Sequence, residues 1–366
     1  MYDYLVVGAG ISGITLAERL SNDTGASVML IDKRNHIGGN CFDYIDSFGL
    51  LVHKYGPHIF HTNSLEVKRY LSLFTLWIPY KHKVKINYKN KLYPFPINRD
   101  TINQFYNLNL RTRNAVKEFL DSSICNSMNE NNSEKYLLNR VPKDLYEAFY
   151  KYYSYKQWGK YPSELPLSIC SRIPVKLNTN DCYFSDKYQM MPAEGFTQMF
   201  KKMLSNKKIE MVLNTDYAKI LDSVKFNKLI YTGKIDEYFD FKFGVLDYRT
   251  LKIKFKTFPI EHYQDTAVIN YPEQKNKYTR IAEYKYLTGQ RSDSTTISFE
   301  YPSERGEAFY PLRDEENLEL LKKYNRLAQK NENILFAGRL GEYKYYNIDQ
   351  AVLSALKLYK KIVSKK

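Results

Sequence analysis

The apolar positions along this chain change their period from one stretch to the next, and the changes mark its elements. Residues 3–7 form a short apolar run, 11–21 repeat apolar positions at helical spacing, and 27–31 ("SVMLI") are apolar again. That order predicts strand, helix and strand, a β-α-β opening. A turn-rich stretch, "DKRNHIGGN", follows, then apolar alternation around "GLLVHKYG" and the segment "GPHIFHT". Residues 99–160 read mainly as helix, broken by "SSICNSMNENNSEK", a polar surface loop. From about 181 to 301 short runs rich in Tyr, Ile, Phe and Thr predict a largely antiparallel sheet, with a helix near 195–205. A helix at 314–330 then leads into the strand "NILFAG" and a final amphipathic helix at 348–362. No internal repeat is visible. A strand ending in "AGR" beside a last helix predicts that the opening domain is completed by the end of the chain.

Composition narrows the class. The 366 residues are 43% hydrophobic and 26% charged, as in ordinary soluble globular proteins, and are enough for two or three domains. No apolar run reaches the length of a membrane span. The first strand begins within three residues of Met1, leaving no room for a signal peptide, so a cytoplasmic location is expected. Cys41, Cys125, Cys170 and Cys182 are far apart and form no C-x-x-C pair, so free thiols are expected and no metal site. The net charge of +15 points to an anionic partner or to compositional drift, since Lys, Asn and Tyr are all abundant. No Lys/Arg block or RNA-binding signature speaks for nucleic acid. The tail "KKIVSKK" reads as a solvated helix end.

The glycines carry the first chemical signal. Gly8, Gly10 and Gly13 follow a strand and open a helix, so a pyrophosphate can lie against helix N-terminal amides. Gly8 permits the tight turn, Gly10 lets backbone approach phosphate, and Gly13 allows close helix–strand packing. Asp32 ends the second strand, where its carboxylate can accept the hydroxyls of an adenosine ribose, with Lys33 beside it. Gly38, Gly39 and Asn40 then form a second glycine turn, as in amine-oxidase-type flavoproteins. The returning "FAGR" adds Gly338 and Arg339 for the pyrophosphate, an element that NAD dehydrogenases lack. FAD is therefore the better reading.

The motifs "MYDYLVVGAGISG", "DKRNHIGGN", "HKYGPHIFHT", "KQWG", "RIPV", "YFSDKYQ", "YTGKIDEYFD", "YTRI" and "GRLGEYKYY" occur in the order found in UDP-galactopyranose mutases. The resemblance runs from residue 1 to about 360, and "GPHIFHT", "KQWG" and "EYKYY" are peculiar to that family. It implies an α/β fold with a discontinuous Rossmann-like FAD-binding domain, an inserted helical domain and an antiparallel β-sheet domain. The expected boundaries are 1–80 for the first part of the FAD domain and 81–98 for the start of the sheet domain. Residues 99–180 would be helical, with a mobile lid. Residues 181–310 would be mainly sheet, with 195–240 partly returning to the FAD domain, and 311–366 would complete that domain.

The resemblance also implies a reaction without net redox change, in which N5 of reduced FAD attacks the anomeric carbon and a nucleoside diphosphate leaves and returns. A diphosphate leaving group needs fixed positive charge. Arg172 ("SRIPV") and Arg280 ("YTRI") match the family's diphosphate arginines, and Arg249 ("DYRTL") a third active-site arginine. Tyr310 and Tyr345 match phosphate-contacting hydroxyls. Phe149, Tyr153, Trp158 and Tyr183 match the aromatics of the base pocket, with Asn270 also on the substrate side. Trp158 and Arg172 flank "YPSELPLSIC", which resembles a lid that excludes water. His61 matches the histidine beside the flavin; His58 is read equally well as structural or as a cofactor neighbour. Asn347 and Ile348, opening the last helix, are assigned to the cofactor, Asn347 to the substrate as well. An external reductant such as NAD(P)H and a homodimer are implied in the same way.

Two departures stand out. The family commonly has Gly-Tyr-Thr before K-Q-W, whereas this chain has Tyr152-Tyr153-Ser154. Many members have an aspartate after "YKYY", where this chain has Asn347, with an acid two positions later at Asp349. Both bear on substrate identity: UDP-galactose ranks first, and dTDP-fucose, UDP-N-acetylgalactosamine and UDP-arabinopyranose are alternatives. An amine-oxidase-like FAD oxidoreductase and an inactive nucleotide-sugar or FAD-binding protein are the competing classes.

Overall fold

A computed structural model describes residues 1–124, 129–221 and 223–364, which fall into two compact units. Met1–Pro79, Asp186–Tyr248 and Ala308–Lys366 form the first, Tyr80–Ser185 and Arg249–Glu307 the second. Cys125 lies outside the described residues; Cys41, Cys170 and Cys182 are unbridged thiols.

The first unit is built on a five-stranded parallel sheet. Its centre is β1 (Tyr2–Val7), flanked on one side by β2 (Val28–Ile31) and then Ile209–Val212. On the other side lie Phe226–Tyr231 and then Ile334–Phe336. Helix α1 (Ile11–Thr24) crosses from β1 to β2 and ends at Gly25, whose φ of 70° suits a left-handed helix cap. Leu5, Val6, Leu30 and Ile31 are fully buried, as expected of strands covered on both faces. The last helix, Ile348–Val363, packs on α1 through a stripe that includes Ala351, Val352 and Ala355. A separate antiparallel sheet, Phe60–Thr62, Tyr188–Pro192 and Trp77–Pro79, sets the direction of His61.

In the second unit, strand Tyr248–Phe258, of which Arg249 onward belongs here, is followed in the sheet by Thr295–Ser303, Arg280–Glu283, Val268–Asn270, Val84–Tyr88 and Lys91–Phe95. The helical stretch comprises Arg99–Tyr106, Arg113–Ser123, Ser133–Leu138, Lys143–Tyr146 and Tyr152–Trp158. Between the last two, Glu147–Lys151 makes one π-helical turn. Such turns are often found near functional sites.

Over 181–301, expected to be largely antiparallel with 195–240 partly returning to the opening domain, two sets of strands pair in parallel. Ile209–Val212 and Phe226–Tyr231 pair in parallel into the first unit's sheet, so Asp186–Tyr248 belongs there. Val268–Asn270 also pairs in parallel, with Val84–Ile86. Period-two alternation reports which face of a strand is buried and is silent on strand direction.

Candidate functional site

The glycine turn of the first unit is a closed backbone cradle. Gly8 N donates to Ile31 O and Gly38 N to Ala9 O, both at 2.7 Å, and Gly10 bridges to Gly38. A Cβ on Gly13 would lie 2.0 Å from Gly8 O, and one on Gly39, at φ 56°, would lie 2.9 Å from Gly10 Cα. The protein's own backbone therefore demands these two glycines. Gly10 is different: a Cβ there meets nothing closer than Gly39 Cα at 3.8 Å, an ordinary contact. Helix α1 starts at Gly10 without a side-chain cap and without an acid in its first turn. Its leading amides and positive dipole end suit an anion. The cradle thus fits a dinucleotide pyrophosphate approaching Gly10.

Asp32 is buried and accepts from Ala9 N at 2.7 Å through Oδ2 and from Arg34 N at 2.8 Å through Oδ1. Each carboxylate oxygen has a second lone pair for a ribose hydroxyl. Lys33 is exposed. Asn40 Oδ1 accepts from Arg34 Nη2 at 3.0 Å, and the Arg34 guanidinium lies 4.4 Å from the centre of the Tyr55 ring. Arg34 was not among the residues expected, although it sits inside "DKRNHIGGN".

Arg339, Tyr310 and Tyr345 come together. The two rings stack at 5.3 Å, and the guanidinium lies 5.6 and 5.3 Å from their centres while donating to Phe309 O and Tyr346 O. Gly338, at φ 77°, donates to Glu342 Oε2 at 3.1 Å; a Cβ there would meet Ser12 Oγ at 3.1 Å. Asn347 precedes the last helix, and its N–H donates to Gln350 Oε1 at 3.0 Å; Ile348 is buried.

His61 is buried, with Nδ1 2.8 Å from Oδ2 of Asp186. Asp186 also accepts from Asn63 Nδ2 at 2.7 Å. The neighbouring Thr62 hydroxyl donates to Asp349 Oδ2 at 2.9 Å, so the acid two positions beyond Asn347 is tied to the His61 strand. His58 Nδ1 lies 2.9 Å from Gly56 O, and its backbone N–H donates to His53 Nδ1 at 3.0 Å. Burial pulls the pKa of His53 down to about 3.

In the second unit Asn270 and Arg280 face one another in register across adjacent strands. Arg280 Nε donates to Oε2 of Glu300 at 2.7 Å. Glu300 is 1% exposed, and burial pushes its carboxyl pKa up while Arg280 pulls it down. Arg172 is exposed, just beyond the short helix Leu167–Cys170. Arg249 is buried, and donates to Gln157 O at 3.1 Å, Lys156 O at 3.4 Å and Glu304 Oε1 at 3.0 Å. Its contacts are those of a brace on the helix that carries Trp158.

Tyr153 and Trp158 lie half-buried on helix Tyr152–Trp158. Tyr183 is half-buried, its N–H donating to His82 O at 2.7 Å. Phe149 is 2% exposed, packed among Tyr88, Tyr93 and Phe105, so it backs the helix from within the core. Asp186, Glu300 and Lys156 were not singled out from the sequence, although Asp186 and Lys156 are letters of quoted motifs. Among the described residues no cluster of His, Cys, Asp or Glu could hold a metal ion. No described helix is long and apolar enough to cross a membrane.

A parallel sheet, a glycine cradle at an uncapped helix N-terminus and a carboxylate ending β2 define a dinucleotide-binding α/β protein. A family model for an NAD(P)-binding Rossmann-like domain matches residues 6–74, and one for UDP-galactopyranose mutase matches 148–345. A probable UDP-galactopyranose mutase of Klebsiella pneumoniae is 38% identical over 96% of this chain and 92% of its own length. A dTDP-fucopyranose mutase of Escherichia coli is 34% identical over 97% of each. The fold is similar to that of a crystal structure of reduced UDP-galactopyranose mutase, with a TM-score of 0.81 at 14% identity, covering 100% of this chain and 96% of that one. The chain belongs to the UDP-galactopyranose mutase family.

Proposed function

We propose that the protein interconverts the pyranose and furanose forms of a nucleoside-diphosphate sugar, UDP-galactose first and dTDP-fucose second, with FAD in its reduced form. Family membership and full-length likeness to relatives of both kinds support the reaction class. The observation that carries the cofactor is Gly10, whose missing side chain the protein's own packing does not require.

Reduced FAD, when bound, supplies a nucleophilic nitrogen for the anomeric carbon, and the sugar undergoes no net oxidation. The amides at the start of α1 hold pyrophosphate, and Asp32 accepts from the ribose. Asp186, 2.8 Å from Nδ1 of His61, orients the ring that matches the histidine beside the flavin. Glu300 sets the plane of the Arg280 guanidinium. Arg280, already held by Glu300, and Arg172 then stabilise the negative charge that grows on the departing diphosphate. Asn270, in register with Arg280, offers an amide to the same ligand. Tyr153, Trp158 and Tyr183 present aromatic faces to the base, with Phe149 behind them. Tyr310 and Tyr345, stacked on one another beside Arg339, match hydroxyls that contact phosphate. Arg249 acts by bracing the Trp158 helix. An external reductant such as NAD(P)H, a homodimer and a cytoplasmic location complete the proposal.

The test is chromatography of the dithionite-reduced protein with UDP-galactofuranose and, separately, dTDP-fucofuranose. Ring expansion of either supports the reading, and the faster one names the substrate. Peroxide formation without ring expansion would overturn it.

A further inference from the structure

Lys156 stands between Tyr153 and Trp158 on the same helix, and its side chain has an unusual set of partners. Its Nζ donates to the carbonyl oxygens of Tyr271, Glu273, Asn276 and Tyr278, the last three at 3.1, 3.0 and 3.0 Å. An ammonium has three N–H groups, so four acceptors must share them, with at least one proton divided between two oxygens. All four carbonyls belong to the loop that joins Val268–Asn270 to Arg280–Glu283. Tyr271 N to Thr279 O, at 2.8 Å, closes the base of that loop. Without the ammonium, four carbonyl dipoles would converge with no donor at their centre. Asn270 stands at one end of this loop and Arg280 at the other. Gln157 reinforces the link: its Oε1 accepts from Thr279 Oγ1 at 3.4 Å.

We infer that Lys156 is a positioning residue that sets the span between the base-binding helix and Arg280, so that one nucleotide engages both at once. The inference rests on the reading of Tyr153, Trp158 and Arg280 given above. Two subsites held at a fixed separation make the second contact intramolecular, and the gain disappears when their spacing drifts. A ligand that spans both subsites is therefore sensitive to Lys156, whereas a ligand that fills only one is not.

The test uses Lys156→Met in the FAD-loaded protein, with UDP, uridine and pyrophosphate each displacing a fluorescent UDP analogue. UDP is expected to weaken about tenfold or more, within the range of effects for lost effective concentration, while uridine and pyrophosphate stay within about twofold. Parallel weakening of UDP and uridine, or unchanged UDP, would overturn the inference. Failure of the unsubstituted protein to bind UDP at all would instead remove the reading of the site on which it stands. Should K156M fail to fold or lose its flavin, K156R carries the test. A planar guanidinium cannot meet four oxygens converging on one point, so UDP should weaken about threefold with uridine unchanged. Equal change in both would again overturn the assignment.

Discussion

His61 Nδ1 lies 2.8 Å from Asp186 Oδ2, so this buried imidazole is oriented by an acid 125 residues away in the chain. Asp186→Asn removes the charge and leaves at most a neutral amide acceptor for Nδ1. FAD content should be unchanged while kcat falls about tenfold, the equivalent of one charge-assisted hydrogen bond of about 1.4 kcal/mol. Absorbance of the bound flavin and steady-state kinetics check both parts. An unchanged kcat would show that the His61 ring is held by other contacts.

Arg280 and Glu300 make a second such pair, with the acid buried beneath the arginine. Arg280→Ala should abolish turnover and leave the flavin in place. Glu300→Gln keeps an acceptor of the same shape and should lower kcat/KM by about tenfold, since the guanidinium loses the partner that sets its plane. Flavin loss in either variant would place the pair in the fold of the protein and not in its chemistry.

Two glycines of the cradle should respond in opposite ways. Gly13→Ala places a Cβ 2.0 Å from Gly8 O, so the chain should fail to accumulate as folded protein. Gly10→Ala has room within the protein and should fold, but without FAD. Stripping FAD from the unsubstituted protein should cost about 2.7 kcal/mol of stability where the cofactor had stood at about 100 times its Kd. Melting curves of apo and loaded samples measure the difference, and G10A should melt with the apo form.

Acid should destabilise the first unit through His53. Its pKa drops on folding from 6.5 to about 3 because the buried ring is expensive to charge. The unfolded chain therefore binds the extra proton as the pH falls below 6.5, and stability is lost from there down to about pH 3. The contribution approaches about 1.4 kcal/mol per pH unit well below 6.5. His53→Asn keeps an acceptor for the His58 amide and should lose that slope, whatever its stability at neutral pH. Denaturant titrations between pH 4 and 7, an interval of roughly three units covering most of the change, provide the comparison.

Much of the architecture is local enough to read from sequence. The strand–turn–helix at residues 2–24 is marked by apolar period, glycine spacing and the closing Gly25, all within one short window. The helices Phe196–Met203, Glu315–Ala328 and Ile348–Val363 are legible for the same reason. Long-range pairing is another matter. Nothing in the periodicity of Val268–Asn270 tells that it runs parallel to Val84–Tyr88. At the site, motifs single out letters and leave their partners unnamed. Arg249 matches an active-site arginine in sequence, yet its guanidinium engages Gln157, Lys156 and Glu304. Asp186, Glu300 and the carbonyl nest of Lys156 become visible only when distant strands are laid side by side.

The placement of β1 has a consequence for how the chain is made. Tyr2 pairs with Phe226, and the neighbouring Leu229 pairs in turn with Ile334. One edge of β1 therefore stays unpaired until some two hundred further residues have left the ribosome, and its sheet is complete only once Ile334–Phe336 has followed. Sheets closed by such distant contacts fold slowly and expose apolar edges while they wait. Expression yield should thus depend on chaperone supply and growth temperature, and truncation just before Ile334 should leave an aggregating chain instead of a smaller stable one.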